Sequence, residues 1–234
     1  MSFGKLRYAA PALAGLGALG VLWLHWLVFF WVPTEASMGV VQRIFYIHVP
    51  SAWVAFFAFG IVAITGIMYL WLEDDRLDAA GVAAAEGGMV FTTAVLITGP
   101  LWGKIAWGTF WTWEPRLTLT LLLWFIYLGY FLVRRATDNP RQAKKFAAVV
   151  GIVGAADIPL IHISVAWLRS LHPQPVVMKP EGPTLDPHML ETLMVGLGSF
   201  TLLFLGLFVS RYLVEIAERK VALDERTAEA GATP

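Results

Sequence analysis

Six long apolar stretches constrain this chain more than any other feature of its sequence. They cover roughly residues 8–32, 50–72, 80–101, 116–134, 146–168 and 189–213. A helix that crosses a lipid bilayer needs about 20 consecutive, mostly apolar residues, and each stretch comes close to that length. Because 58% of the 234 residues are hydrophobic, a water-soluble domain could not bury them all. The sequence therefore predicts an all-α, polytopic membrane protein with six transmembrane helices.

Proline and glycine indicate where several of these spans begin or end. Pro50 and Pro115 occupy positions where a first helical turn would start, and a proline costs least there. The Gly99-Pro100 pair indicates the outer end of the third span. The N-terminus is basic and then apolar, like a signal peptide. Its apolar stretch is too long for a signal peptide, so we expect a retained first span.

Lysine and arginine are distributed unevenly between the two sides of the predicted membrane. Twelve of the 17 lie at the two termini or in the connections after the second and fourth spans. Positively charged segments stay on the cytoplasmic side, so both termini are predicted to be cytoplasmic. The connections at about 33–49, 102–115 and 169–188 then face outward. We expect residues 1–213 to form the membrane domain and residues 214–234 to form a cytoplasmic tail with a frayed helix end.

Composition and motif content exclude several classes of function. The formal net charge is zero, so the chain has no basic field that would attract nucleic acid. It contains no cysteine, and therefore no disulfide and no thiolate metal site. Neither G-x-S-x-G nor H-E-x-x-H occurs, and no other pairing of a nucleophile with a base is recognisable. We expect a protein that is not an enzyme.

One connection is unusually rich in aromatic residues. Residues 106–118, here called the aromatic segment, read AWGTFWTWEPRLT. Four aromatic rings fall within seven positions: Trp107, Phe110, Trp111 and Trp113. A spacing of three or four residues relates Trp107, Phe110, Trp111 and Glu114. It predicts a helical turn that carries these side chains on one, mostly aromatic, face. Such a face suits a flat apolar ligand with a charged edge, and haem is one.

Histidines in the two flanking outward connections are candidate iron ligands. His48 lies just before Pro50, and His172 lies in a segment that contains five prolines. Haem iron takes axial imidazoles, so these two histidines are predicted to hold it. Trp102 and Phe110 would lie at the edges of the aromatic face. The haem propionates would pair with basic residues, for which the candidates are Arg43, Lys104, Arg116 and Arg169.

Other interpretations of these residues stay open. Tryptophans at a membrane interface commonly form only an aromatic belt, and His188 is an alternative to His172 as a ligand. A permease would need a polar path across the bilayer, for which the spans offer only a few scattered residues: His25, Glu86, Asp157 and His162. An intramembrane electron carrier would instead stack pairs of histidines within the spans.

The aromatic segment also carries a family resemblance. Residues 102–118, WGKIAWGTFWTWEPRLT, resemble the tryptophan-rich WWD signature of the haem-handling proteins of cytochrome c biogenesis. Residues 42–53, QRIFYIHVPSAW, are similar to the segment before the second span in the shorter, six-span branch of that family. The resemblance covers nearly the whole chain up to about residue 213. Two positions depart from the signature, since Phe110 replaces a tryptophan and Glu114 replaces an aspartate.

The resemblance implies a function and a set of partners. It implies that the tryptophan-rich connection cradles a non-covalent, b-type haem and that His48 and His172 are its two axial ligands. The charged residues Arg43, Glu114 and Arg116 fall at matching positions and are expected to take part in binding the haem. The haem would pass to a periplasmic haem chaperone, with ATP-binding-cassette transporter subunits and a small single-span subunit as further partners. The resemblance also implies a bacterial inner membrane protein whose haem site faces the periplasm.

Overall fold

The computed structural model describes residues 3–168, 171–172, 176–177, 179–180 and 182–232. Its six long helices are α1 (Phe3–Trp26), α2 (Phe45–Leu72), α3 (Asp75–Trp107), α4 (Pro115–Arg135), α5 (Pro140–Trp167) and α6 (Pro187–Ala232). A π-helical turn, Leu27–Trp31, extends α1, and a 3-10 turn, Val40–Ile44, precedes α2. All six helices are long and apolar enough to cross a membrane. The prediction of an all-α, six-span membrane protein is confirmed.

The helices pack closely in two places, one through glycines and one around aromatic rings. Helices α1 and α6 touch at Gly17 and Gly206, where an added Cβ would collide with the backbone of Leu203 or of Ala14. Such contacts are usual between membrane helices, where small residues let backbones approach each other. Helices α2, α4 and α5 meet around Phe59 and Tyr127, whose rings are stacked with centroids 3.4 Å apart.

Local sequence signals explain where several helices begin. Asp74 accepts a hydrogen bond from the backbone N–H of Arg76 and so caps the start of α3. Asn139 caps α5 in the same way, with Pro140 at the first helical position. Pro115 opens α4, as predicted.

Two of the predicted helix boundaries are wrong. Pro50 does not open α2, because the helix already begins at Phe45 and contains His48. Gly99 and Pro100 do not end α3, which continues to Trp107. In both places the residues that extend the helix are packed against other elements: Phe45 is buried, and Trp102 contacts the Phe45 ring at 6.1 Å. Tertiary packing outweighs the local tendency of proline to interrupt a helix.

The aromatic segment does not form the predicted helical turn. Helix α3 ends at Trp107, and Gly108 follows with a φ of 78°, a left-handed conformation that favours glycine. Residues 109–114 then run without helix to the start of α4. Trp107, Phe110, Trp111 and Glu114 therefore do not share one helical face. The loop between α3 and α4, residues 108–114, is called the α3–α4 loop below.

Helix α6 is much longer than a membrane span. Its 46 residues would extend about 69 Å at the usual rise of 1.5 Å per residue, more than twice the ~30 Å apolar thickness of a bilayer. Ion pairs link its polar part to α3 and α4. Arg219 and Arg134 both bind the carboxylate of Asp78 at 2.7 Å, and Arg211 binds Glu86 at the same distance. These contacts lie at the end of the bundle away from the α3–α4 loop.

Candidate functional site

A cavity opens among α2, α3, α4 and α5, next to the α3–α4 loop. Its empty space, which includes open solvent at the mouth, is about 940 Å³. Apolar side chains such as Phe56, Leu123 and Ile161 form much of its wall. The predicted site residues that line it are His48, Trp102, Trp107, Trp111, Arg116 and His172.

Two side chains of α3, those of Thr98 and Trp102, contact the ring of His48. Its Nδ1 lies 2.8 Å from the hydroxyl of Thr98, and its ring contacts the Trp102 ring edge-on with centroids 5.8 Å apart. A Cβ added at Gly99 would lie 3.3 Å from the Cε1 atom of His48. The ring can therefore lie this close to α3 because residue 99 has no side chain.

His172 lies in the connection between α5 and α6 and lines the same cavity. The residue just before it is fixed by Glu114, whose carboxylate accepts the backbone N–H of Leu171 at 2.7 Å. Glu114 is itself only 8% exposed. Glu114, which was predicted to take part in ligand binding, does not line the cavity and instead contacts the segment that carries His172.

Trp111 offers a polar group as well as an aromatic surface. It lines the cavity, and its indole Nε1 is buried without a hydrogen-bond partner among the described residues. A buried N–H group without a partner is costly, so this donor is suited to a ligand that brings an acceptor. Trp107 turns back onto its own helix, where a Cβ at Gly103 would lie 3.0 Å from its ring.

Several predicted site residues lie outside the cavity lining. Trp113 and Phe110 are 75% and 55% exposed on the α3–α4 loop. The Nζ of Lys104 donates to the carbonyl of Gly108 at 3.0 Å and lies 5.3 Å from the centre of the Phe110 ring. The guanidinium of Arg43 packs over the ring of Phe29, in the π-helical turn that extends α1. Arg169 lies outside the described residues.

The sequence analysis also missed residues that shape the cavity. Thr98 contacts His48, and the Sδ of Met38, which lines the cavity, accepts the indole N–H of Trp102 at 3.1 Å. Met38 lies in a tight turn that the carboxylate of Glu35 closes by accepting the backbone N–H groups of Met38 and Ser37. These hydrogen bonds hold the pKa of Glu35 below its usual value, so the carboxylate that closes the turn stays ionised further into the acid range. No sequence signal marks Thr98 or Met38.

Three of the four polar residues that a permease would use inside the membrane are engaged locally, whereas Asp157 is buried and its Oδ2 has no hydrogen-bond partner among the described residues. Glu86 pairs with Arg211. The Nδ1 atoms of His25 and His162 each contact a carbonyl one turn earlier on their own helices, at 2.7 and 3.1 Å. These contacts tie the side chains to α1, α3, α5 and α6 rather than to one common path.

Comparison with known proteins assigns the chain to a family. The family model described as heme exporter protein C, CcmC, matches residues 3–227. The chain belongs to the heme exporter protein C family. A heme exporter protein C of Bradyrhizobium diazoefficiens is 40% identical over 189 residues, which cover 81% of this chain and 72% of that protein. Those of Haemophilus influenzae and Escherichia coli K12 are each 34% identical and cover 91% and 89% of this chain, and 85% and 84% of their own lengths.

The family assignment confirms the resemblance carried by the aromatic segment. The heme exporter protein C match extends from α1 into the polar part of α6. Every residue that lines the cavity, from Met38 to His172, lies inside the matched range. The cavity is therefore built by the part of the chain that corresponds to the family as a whole.

Proposed function

We propose that this protein binds haem in the cavity beside the α3–α4 loop and delivers it to a periplasmic haem chaperone for cytochrome c maturation. The observation that carries the proposal is that His48 and His172, from separate segments of the chain, line one cavity together with Trp107 and Trp111. Two imidazoles suit the two axial positions of a haem iron. The relatives from Bradyrhizobium diazoefficiens and Haemophilus influenzae bear the name heme exporter protein C, which agrees with haem as the ligand.

The chemistry of the cavity fits haem better than it fits a bare metal ion. Among the described residues, no group of three or more His, Asp or Glu side chains could hold a metal ion by itself. A porphyrin would supply the remaining ligands and would bury its faces against the indole rings. Arg116 and the N–H of Trp111 would bind the propionates as charged and neutral donors.

We further propose that the haem is of the b type and is held without a covalent bond. Covalent attachment in cytochromes c uses cysteine thiols, and this chain has no cysteine. Non-covalent binding suits a protein that delivers its ligand, since release then requires only the two axial bonds to the iron to break and no bond to the porphyrin. The covalent step would belong to the chaperone.

The proposed orientation places the cavity on the periplasmic side of the bacterial inner membrane. Twelve of the 17 lysines and arginines lie at the termini or in the two connections on the other side of the bundle, which favours a cytoplasmic position for that end. Trp113 and Phe110 are exposed beside the cavity and would offer an apolar contact to the chaperone. ATP-binding-cassette subunits and a small single-span subunit complete the proposed set of partners.

The proposal is tested first by isolating the protein. An optical spectrum and an extraction of bound pigment should reveal a low-spin haem. The double variant Trp107→Ala/Trp111→Ala should bind added haemin ~10- to 100-fold more weakly, since a buried aromatic contact at a binding site is worth at least 1 kcal/mol. Trp113→Ala is the matched control, because that ring is exposed, and its haem affinity should stay near that of the wild type. Equal losses of haem affinity in the double variant and in Trp113→Ala would mean that these tryptophans form only an aromatic belt at the membrane interface.

A second test concerns Glu114. Glu114→Ala should weaken haem binding by ~10-fold, because a hydrogen bond to a charged group contributes about 1.5–3 kcal/mol and its loss frees the segment before His172. Glu114→Gln keeps an oxygen that can accept the N–H of Leu171, so its loss should be several-fold smaller. In a His172→Ala background, Glu114→Ala should cause little additional loss, since the two residues would act as one unit. If Glu114→Ala lowered haem affinity equally in the wild-type and His172→Ala proteins, Glu114 would not act by positioning His172.

A further inference from the structure

The hydroxyl of Thr98 lies between His48 and the backbone of α3. Its Oγ1 is 2.8 Å from the Nδ1 of His48 and 2.7 Å from the carbonyl oxygen of Ala94, one turn earlier on the same helix. A hydroxyl has a single proton and two lone pairs, so it can donate one hydrogen bond while it accepts others. The direction of both contacts therefore depends on where that one proton lies.

Only one arrangement of protons makes both contacts attractive. If Thr98 donates to the carbonyl of Ala94, which is an acceptor only, the hydroxyl oxygen accepts an N–H from the Nδ1 of His48. In the reverse arrangement the hydroxyl proton points to Nδ1, and two oxygens lie 2.7 Å apart with no proton between them. The first arrangement places the imidazole proton on Nδ1, which leaves the lone pair on Nε2.

We propose that Thr98 is a positioning residue that holds His48 in the tautomer whose Nε2 is available to an axial metal. The inference rests on the proposed function, from which it takes haem iron as the metal. Metal-binding histidines commonly donate their other ring N–H to an oxygen, which fixes the ring and makes it a better ligand. Thr98 supplies that oxygen here.

The neighbours of Thr98 on α3 fix the same ring. Trp102 is four residues further along the helix, so it lies on the same face, and its ring meets the His48 ring edge-on at an angle of 75°. Gly99 leaves the space into which the Cε1 edge of the imidazole fits. Trp102 thus limits the rotation of the His48 ring, and Thr98 fixes which ring nitrogen carries the proton, before any ligand is bound.

The test compares threonine variants of the full-length protein by titration with haemin. Thr98→Val removes the hydroxyl and should weaken haem binding by ~10- to 100-fold, the usual cost of losing such an outer partner. Thr98→Ser restores the hydroxyl and should recover the affinity to within about threefold of the wild type. Thr93→Val is the matched control, because Thr93 lies on the same helix outside the cavity lining. Its hydroxyl likewise donates to a carbonyl one turn earlier, that of Met89 at 2.8 Å, and accepts an N–H, that of the Trp124 indole at 2.9 Å. Thr93→Val should leave the affinity unchanged.

A second measurement needs no haem. Nitrogen-15 NMR of the haem-free protein, with all five histidines labelled and the His48 signals assigned from a His48→Gln variant, should show a protonated Nδ1 and an unprotonated Nε2. In Thr98→Val the same residue should show a mixture of the two tautomers. A protonated Nε2 in the wild type would overturn the inference, and so would equal haem affinities of Thr98→Val and Thr93→Val.

The two proposals fail in different ways. If the wild-type protein binds no haemin, or if His48→Ala binds it as tightly as the wild type, the proposed function or its ligand assignment is wrong. If His48→Ala loses haem while Thr98→Val retains it with wild-type affinity, only the role of Thr98 is wrong.

Discussion

His48→Ala and His172→Ala are each expected to abolish the low-spin haem spectrum of the purified protein. Removal of either imidazole leaves an iron with one axial ligand from the protein, which shifts the spectrum to a high-spin form. Haem affinity should fall by ~100-fold or more, because the outer partners of a metal ligand alone are worth 10- to 100-fold. Optical spectra of the purified variants, with haemin titration for affinity, measure both effects.

The matched control is a third histidine near the same end of the bundle. The His188 ring packs 5.1 Å from that of Trp31, and its Nδ1 lies 3.5 Å from the carboxylate of Asp186. His188→Ala should keep the wild-type spectrum. Added imidazole should restore a low-spin spectrum to a His48→Gly variant, since the space that the side chain leaves would admit the free ligand. Wild-type spectra in both single-alanine variants would refute the ligand assignment.

The number of helices could be predicted from the sequence, but their ends could not. A membrane span depends on the mean hydropathy of about 20 consecutive residues. A single proline, or a single charged residue such as Glu86, changes that mean little. A helix end depends on a few residues and on their tertiary contacts. Phe45 and Trp102 pack against each other, and this contact carries α2 and α3 past the positions where Pro50 and Pro100 indicated a boundary.

The sequence showed which residues occupy the connections, but not the direction of each side chain. Helical spacing placed Phe110 beside Trp107, whereas the left-handed Gly108 redirects the chain and leaves Phe110 exposed. The arginine and lysine candidates all carry the right charge for a propionate. Of Arg43, Lys104 and Arg116, the structure brings Arg116 into the cavity lining, because the other two already pack against rings elsewhere.

Contacts between distant segments explain what the sequence analysis missed. Thr98 and His48 are 50 residues apart, and Glu114 and Leu171 are 57 apart. No local pattern relates the members of either pair. Both contacts follow from the packing of α3 on α2 and from the return of the α5–α6 connection over the start of α4. They become visible only once the helices are arranged in space.

The largest effect on stability is expected at the other end of the bundle, in the variant Asp78→Asn. The carboxylate of Asp78 is only 3% exposed and receives two hydrogen bonds from Arg134, at 2.8 and 2.7 Å, and one from Arg219. An amide keeps the size of the side chain but removes the charge that balances the two guanidinium groups. Breaking a buried ion pair from one side costs about 3–5 kcal/mol, since the partner charge stays buried without compensation.

We expect a loss near the lower end of that range, about 3 kcal/mol, because Arg219 keeps a second carboxylate, that of Glu215, at 2.9 Å. For a chain of this size such a loss lowers the Tm by roughly 6–12 °C, measured by thermal unfolding in detergent. Asp75→Asn is the matched control on the same helix: its carboxylate is 63% exposed and pairs with Lys144, and exposed pairs contribute at most about 1 kcal/mol. Equal shifts in Tm for the two variants would mean that the arginines find other partners or water. A larger shift for Asp78→Asn would identify its carboxylate as the group that fastens the polar part of α6 to α3 and α4.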